Sequence, residues 1–299
     1  MIDFATPEQF DAAVGIWTAC FGDTEQYARF LFDRLLTPND VLIHRSENDR
    51  TAAMLCFKPF RFVTSNGAAK GVYIFGVATL PEWRNRGFSS ALLEELENRL
   101  SNRGISLSIL VPGGPGLFDF YEKRGYETAI SVRHAIVPAT GLTGKTTGDL
   151  TPIPLKTLRQ YRNEFFSNRK RFVDWDESWL DYVDAEARAL GGGTYSVSGN
   201  GYVVCYPYKD AVIVKEFAVP DTSTTDVLAG LHARFHASEY RFHLSEDAVT
   251  GFTSTVSPFA MIKWYDDTVK NRLETATGKP PYMAHVLEGP TLGVPLREV

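Results

Sequence analysis

The sequence predicts a mixed α/β (α+β) chain of two tandem domains, each a mostly antiparallel mixed sheet flanked by helices. Three observations carry that expectation. Helical and strand-like hydrophobic periods alternate in both halves in one order: helices, hairpin strands, a helix, a strand. Residues 139–152 are rich in Gly, Thr and Pro without apolar periodicity and read as a linker. The length of 299 residues suits two domains of ordinary size, 1–138 and 153–299.

Each element follows from local pattern. Residues 7–21 place Phe10, Val14, Trp17 and Phe21 at helical spacing, with Thr6 as N-cap and Pro7 in the first turn. Gly22-Asp23 breaks that helix, and Tyr27, Phe30, Leu31 and Leu35 form a second. Strand-like runs follow at 41–45, 51–63 and 72–79, with turns at Glu47-Asn48-Asp49 and Ser65-Asn66-Gly67. An apolar stripe of Phe88, Ala91, Leu92, Leu96 and Leu100 marks a helix over 88–103, which Gly104 ends. A strand at 105–111, a glycine-rich loop, a short helix at 117–124 and a strand at 126–137 complete the first half. The second half reads as helices at 155–166 and 177–190, then strands at 193–198, 202–206 and 211–219. A helix at 225–235 and strands at 240–244 and 259–265 close it.

Composition narrows the function. Hydrophobic residues at 44% and charged residues at 22% exclude general disorder. Residues 1–150 carry 15 basic and 17 acidic groups, and 151–299 carry 16 and 19, so neither half has the basic excess of a phosphate-neutralising nucleic-acid binder. Cys20, Cys56 and Cys205 form no CxxC pair and read as reduced thiols. No basic leader or membrane-length apolar run is present, so the expected location is cytoplasmic, with neither membrane nor nucleic acid as partner. His232 and His236 stand four apart on a helix, but no acidic partner accompanies them, and no metal is expected. Gly191-Gly192-Gly193 reads as a helix C-cap and turn, and Trp175, Trp179 and Tyr182 as core.

The stretch that carries chemistry is VYIFGVATLPEWRNRGFSS, residues 72–90. A strand turns at Pro81, passes Arg84-Asn85-Arg86-Gly87 and enters a helix directly. The first turn of a helix leaves backbone N–H groups unpartnered, the macrodipole adds partial positive charge, and Gly87 admits an anion to the backbone. This is an anion cradle. It is neither a GxxxxGK[ST] nor a GxGxxG loop.

The segment resembles the acetyl-CoA pyrophosphate loop of the GNAT N-acetyltransferase superfamily, [QR]xxGx[GA]. Arg84 fills the first position, Gly87 the fourth, and Ser89 departs from the usual Gly or Ala. A second signature matches downstream, Phe120-Tyr121-Glu122-Lys123-Arg124-Gly125-Tyr126, and the resemblance runs over about residues 1–138. It implies an acetyl-CoA-dependent N-acetyltransferase acting on a small-molecule or peptide amine, with self-association left open. Val77, Ala78 and Thr79 would pair with the pantetheine arm, and Arg84, Asn85, Arg86, Gly87, Phe88, Ser89 and Ser90 would hold the pyrophosphate. Tyr121 would protonate the leaving CoA thiolate.

Many members of the superfamily place a Glu on the strand before the loop as general base, whereas Tyr73, Ile74 and Phe75 stand there in this chain. Asp23, Glu25, His134 and a water chain remain as alternatives. The stretch GVATLPEWRNRGFSSALL is most similar to the tandem enhanced-intracellular-survival acetyltransferases, which would point instead to the carboxylate of Val299. In the second half, the corresponding loop at 218–225 has neither the basic residue nor the glycine, so that domain is expected to be degenerate and without cofactor. Two further readings compete: a CoA-binding sensor without catalysis, and a tandem-fold aminoacyl transferase, which the acidic balance disfavours.

Overall fold

A computed structural model describes residues 1–101, 103–140, 149–167, 171–197, 199, 201–219, 224–248, 252–276, 281 and 283. The chain opens with strand β1 (Ile2–Phe4) and helices α1 (Pro7–Phe21) and α2 (Glu25–Leu35). Thr6 caps α1 with a reciprocal box: its hydroxyl accepts from the Gln9 N–H, and the Gln9 side chain accepts from the Thr6 N–H. Gly22, at φ 76°, ends α1 in the left-handed conformation that glycine adopts without penalty. Strands β2 (Val41–Arg45), β3 (Thr51–Thr64) and β4 (Gly67–Thr79), helix α3 (Phe88–Ser101), β5 (Leu107–Leu110), α4 (Gly116–Glu122) and β6 (Glu127–Pro138) follow. The second half contains β7 (Leu150–Pro152), α5 (Leu155–Ser167), β8 (Arg171–Asp174), α6 (Glu177–Ala189), β9 (Gly193–Val197), β10 (Tyr202–Tyr208) and β11 (Ala211–Ala218). It ends with α7 (Thr224–Phe235), β12 (Glu239–Ser245), β13 (Ser254–Trp264) and α8 (Asp267–Glu274).

Among the described residues, thirteen strands join one mixed sheet in the order β1-β2-β3-β4-β5-β13-β6-β12-β11-β10-β9-β7, with β8 on β3. Two neighbouring pairs run parallel, β4 with β5 and β11 with β12, one in each half. This is the architectural repeat expected from the order of elements. One strand is exchanged: β13, late in sequence, lies between β5 and β6 of the first half.

The two halves also share a core. Trp175 and Trp179, at the start of α6, stack at 4.4 Å and meet Tyr73 on β4 edge-on at 5.7 and 5.6 Å. Aromatic pairs at such distances add about 0.5–1.5 kcal/mol each beyond area burial. Side chains alternate across a strand, so Tyr73 and Phe75 enter this core while Ile74 enters the core under α3. Tyr27 on α2 and Tyr182 on α6 both donate to the buried Glu186 carboxylate, at 2.5 and 2.9 Å, and Lys215 lies 3.5 Å from its other oxygen. A buried charge is tolerable only when partnered in this way.

The glycine triplet is a helix C-cap. Gly191 and Gly192 donate to the carbonyls of Arg188 and Ala187, and Gly191 takes φ 87°. A Cβ on Gly192 would stand 1.9 Å from the Cys205 carbonyl oxygen, and backbone cannot yield as a side chain tip can. We expect Gly192→Ala to cost on the order of 3 kcal/mol or more through overpacking, lowering Tm by roughly 6–12 °C in a thermal melt. An unchanged Tm would contradict this packing.

Candidate functional site

The site begins at a fork in the sheet. β4 and β5 pair from Gly71/Leu107 to Ile74/Leu110; beyond that β4 continues as Phe75–Thr79 without β5. On its other side β4 pairs with β3, but the register slips: Met54 faces Ala78 and Cys56 faces Phe75, so β4 carries one extra residue. Such a bulge leaves one residue of the ladder unpaired. It falls at Gly76-Val77, where Gly76 has φ 60° and a Cβ would meet the Trp17 ring at 2.8 Å. Glycine is required there by both conformation and space.

The end of β4 leads through a single helical turn, Pro81–Trp83, into the loop. Asn85 and Gly87 both adopt positive φ, 62° and 78°. The Gly87 carbonyl accepts from Ala91 at 2.9 Å, which makes Gly87 the N-cap of α3. The N–H groups of Phe88, Ser89 and Ser90 therefore have no intrahelical acceptor. A Cβ at Gly87 would meet nothing within 4 Å, so the backbone is open on that side.

Side chains fix the loop to the strand. The Ser89 and Thr79 hydroxyls lie 2.9 Å apart, and the Arg84 Nε and Cys20 Sγ donate to the Thr79 carbonyl at 3.3 and 3.5 Å. The serine at 89 is thus accounted for: its hydroxyl ties the first turn of α3 to the end of β4. Phe88 stacks on His44 at 3.9 Å and faces Trp83 at 6.0 Å, while Arg86 lies over the Trp83 ring at 4.7 Å. Desolvation lowers the pKa of His44, so this ring is neutral near pH 7.

Val77, Ala78, Thr79, Arg84, Asn85, Gly87, Phe88, Ser89 and Ser90 line one cleft of about 570 Å³. Arg86 stands outside it, turned onto Trp83. The far wall comes from Leu117 and Phe120 of α4 and from Arg124 just beyond its end. Besides Cys20, Phe21, Trp83, Leu117 and Phe120, the cleft gains a charged residue that the sequence pattern does not single out, Arg124 of the second signature. Its guanidinium donates to the Ser90 hydroxyl and to the Phe120 carbonyl, both at 2.5 Å, which brings a second cation beside the helix terminus.

Tyr121 is 7% exposed and is not among the residues lining that cleft. Its ring packs edge-on against Phe120 and Tyr126 at 5.1 and 5.9 Å. Burial pushes its pKa up to about 12, against the opposing pull of Arg124. The phenol is therefore fully protonated at neutral pH. It sits one helical turn from both Leu117 and Phe118, on the face of α4 between them.

The candidate bases fall in different places. Asp23 is buried; its Oδ2 accepts from Trp17 Nε1 at 2.9 Å and its Oδ1 has no partner. Burial raises its pKa, with the nearby Glu186 adding to the effect. Glu25 is exposed and bound to Arg29 at 2.9 Å. His134, on β6, meets the His243 ring at 4.9 Å and lines a second cavity. Val299 lies outside the described residues, as does half of the loop at 218–225, residues 220–223. Tyr73 and Phe75 are covered by Trp179, so this face of β4 is sealed by aromatic rings and carries no carboxylate at 73–75. His232 bonds Tyr240 at 2.8 Å; among the described residues no cluster of three or more His, Cys, Asp or Glu could hold a metal, and no helix is long and apolar enough to cross a membrane.

Comparison with known proteins gives one family model and many solved structures of similar fold. Residues 1–129 match the model of the acetyltransferase (GNAT) domain. No curated protein matches in sequence. Among solved structures, the chain is similar to a GCN5-related N-acetyltransferase from Kribbella flavida, at 19% identity, 89% of this chain, 71% of that one and a TM-score of 0.69. A GCN5-related N-acetyltransferase from Anabaena variabilis gives 15% identity, 88% and 72% coverage and 0.70. Eis1 from Mycobacterium abscessus gives 14%, 90% and 75%, and 0.66. At these identities the likeness shows the fold, and it extends over both halves.

Proposed function

We propose that this chain, whose residues 1–129 match the acetyltransferase (GNAT) domain, is an acyltransferase that transfers the acetyl group of acetyl-CoA to a primary amine. The observation that carries this reading is the cleft beside the fork, which gathers nine of the ten residues expected to hold the cofactor. The free edge of β4 at Val77–Thr79 offers backbone partners to the pantetheine amides. The N–H groups of Phe88, Ser89 and Ser90 with Arg84 and Arg124 supply donors and charge for a pyrophosphate.

The amine nitrogen attacks the thioester carbonyl, and the carbonyl π electrons move onto oxygen. A backbone N–H of β4 beside Val77–Thr79, where the strand has parted from β5, would stabilise that oxyanion. As the intermediate collapses the C–S bond breaks, Tyr121 gives its proton to the thiolate, and the nitrogen loses one proton. Asp23 supports the base role by its raised pKa and open oxygen, and His134 by its place on the β5 side. The catalytic unit is residues 1–138 completed by β13, and the second half, a cofactor-free domain, seals the inner face of β4 with Trp175 and Trp179.

Free CoA released from acetyl-CoA is expected only when a primary amine is supplied, with a mass increase of one acetyl group on that amine. CoA release that is independent of amine would mean hydrolysis and would contradict the proposal.

A further inference from the structure

Two cavities flank the fork. One is the cleft along the β4 prong described above. The other, of about 710 Å³, follows the β5 prong: Val111 and Pro112 continue β5, and Pro115 and Phe118 begin α4. Its opposite wall is the exchanged strand, at Ser257, Pro258 and Phe259, with His134 from β6.

Helix α4 separates the two. Leu117 and Phe120 face the cofactor cleft, while Phe118 faces the second cavity. Tyr121 is four and three residues from Leu117 and Phe118 on the same helix, and its ring is buried behind them, lining neither cavity. A molecule in the second cavity would meet the cofactor where β4 and β5 part, beside the proton donor.

The chemistry of the walls selects the occupant. No Asp, Glu, Lys or Arg is among the described residues lining this cavity; His134 and Ser257 bring its only polar side-chain atoms. A polyamine or aminosugar, with several ammonium groups, would be desolvated there with no carboxylate to pair it. An apolar ring would instead bury its surface against proline and phenylalanine, leaving one amine for the polar pair.

We propose that this cavity is the acceptor pocket, and that it takes a primary amine carried on an apolar, ring-bearing body. The inference rests on the acetyltransferase reading. Phenethylamine and spermidine are the probes, titrated calorimetrically into the full chain saturated with CoA. Phenethylamine is expected to bind about tenfold or more tightly than spermidine. Ser257→Arg, which sends a cation into the cavity from its wall, is expected to weaken phenethylamine at least about tenfold and to leave acetyl-CoA affinity within about twofold. Phe118→Ala, which widens the cavity, is expected to shift preference toward a two-ring amine such as naphthylmethylamine.

Equal or tighter binding of spermidine, or phenethylamine binding indifferent to both substitutions, overturns the acceptor assignment while the acetyltransferase reading stands. A wild-type chain that binds no acetyl-CoA removes that reading and the proposal together.

Discussion

Gly87→Glu is expected to abolish acetyl-CoA binding while leaving the protein folded. A Cβ at this position meets nothing within 4 Å, so the new side chain has room to project into the cleft. The backbone at φ 78° costs a non-glycine residue on the order of 1 kcal/mol, far less than the fold's stability. The carboxylate would then lie at the N-terminus of α3, where the unpartnered N–H groups of Phe88 to Ser90 await an anion. It would occupy that positive field itself and repel the pyrophosphate. A loss of at least about 100-fold in affinity, some 2.7 kcal/mol, is expected by calorimetry. Gly87→Ala separates strain from charge, since it has the same backbone penalty without the carboxylate, and a loss under about tenfold is expected there. Equal losses in the two variants would mean that the loop's conformation, not its field, sets affinity.

Tyr121→Phe is expected to lower kcat by about 10²–10⁴-fold with acetyl-CoA affinity unchanged, the range for loss of a general acid. The change removes one hydroxyl from a ring whose packing against Phe120 and Tyr126 is retained. Because burial pushes the phenol up to about 12, the acid stays protonated through pH 10, and any alkaline loss of turnover below that has another origin. A variant that loses affinity and turnover together would assign Tyr121 to packing rather than proton transfer. A variant with full turnover would remove it from the reaction.

Much of this fold was legible in the chain because its signals are local. The capping box at Thr6, the stripe from Phe88 to Leu100 and the turns between β2, β3 and β4 announce elements by short-range chemistry alone. The loop could be read for the same reason: a strand, a glycine and a helix start are contiguous. What stayed hidden depends on distant partners. β8, four residues long, owes its extended form to pairing with β3 more than 100 positions earlier. β1 and β7 have three residues each, too few to show a period, and Leu150–Pro152 lies at the end of the segment read as a linker. The insertion of β13 between β5 and β6 is a matter of topology, which hydrophobic alternation does not encode. Arg124 follows the end of a short helix, and nothing local in the sequence ties it to the loop. Only the fold brings it to Ser90.

On this reading the N-terminal half holds one acetyl-CoA in the cleft between β4, α3 and α4. The measurement that tests it most directly is a calorimetric titration of the purified full chain with acetyl-CoA, read for stoichiometry as well as affinity. A single site per chain, lost in Gly87→Glu, is expected. Absence of binding would reduce the loop to an ordinary capped helix and contradict the acetyltransferase reading, and a second equivalent would contradict a cofactor-free second domain.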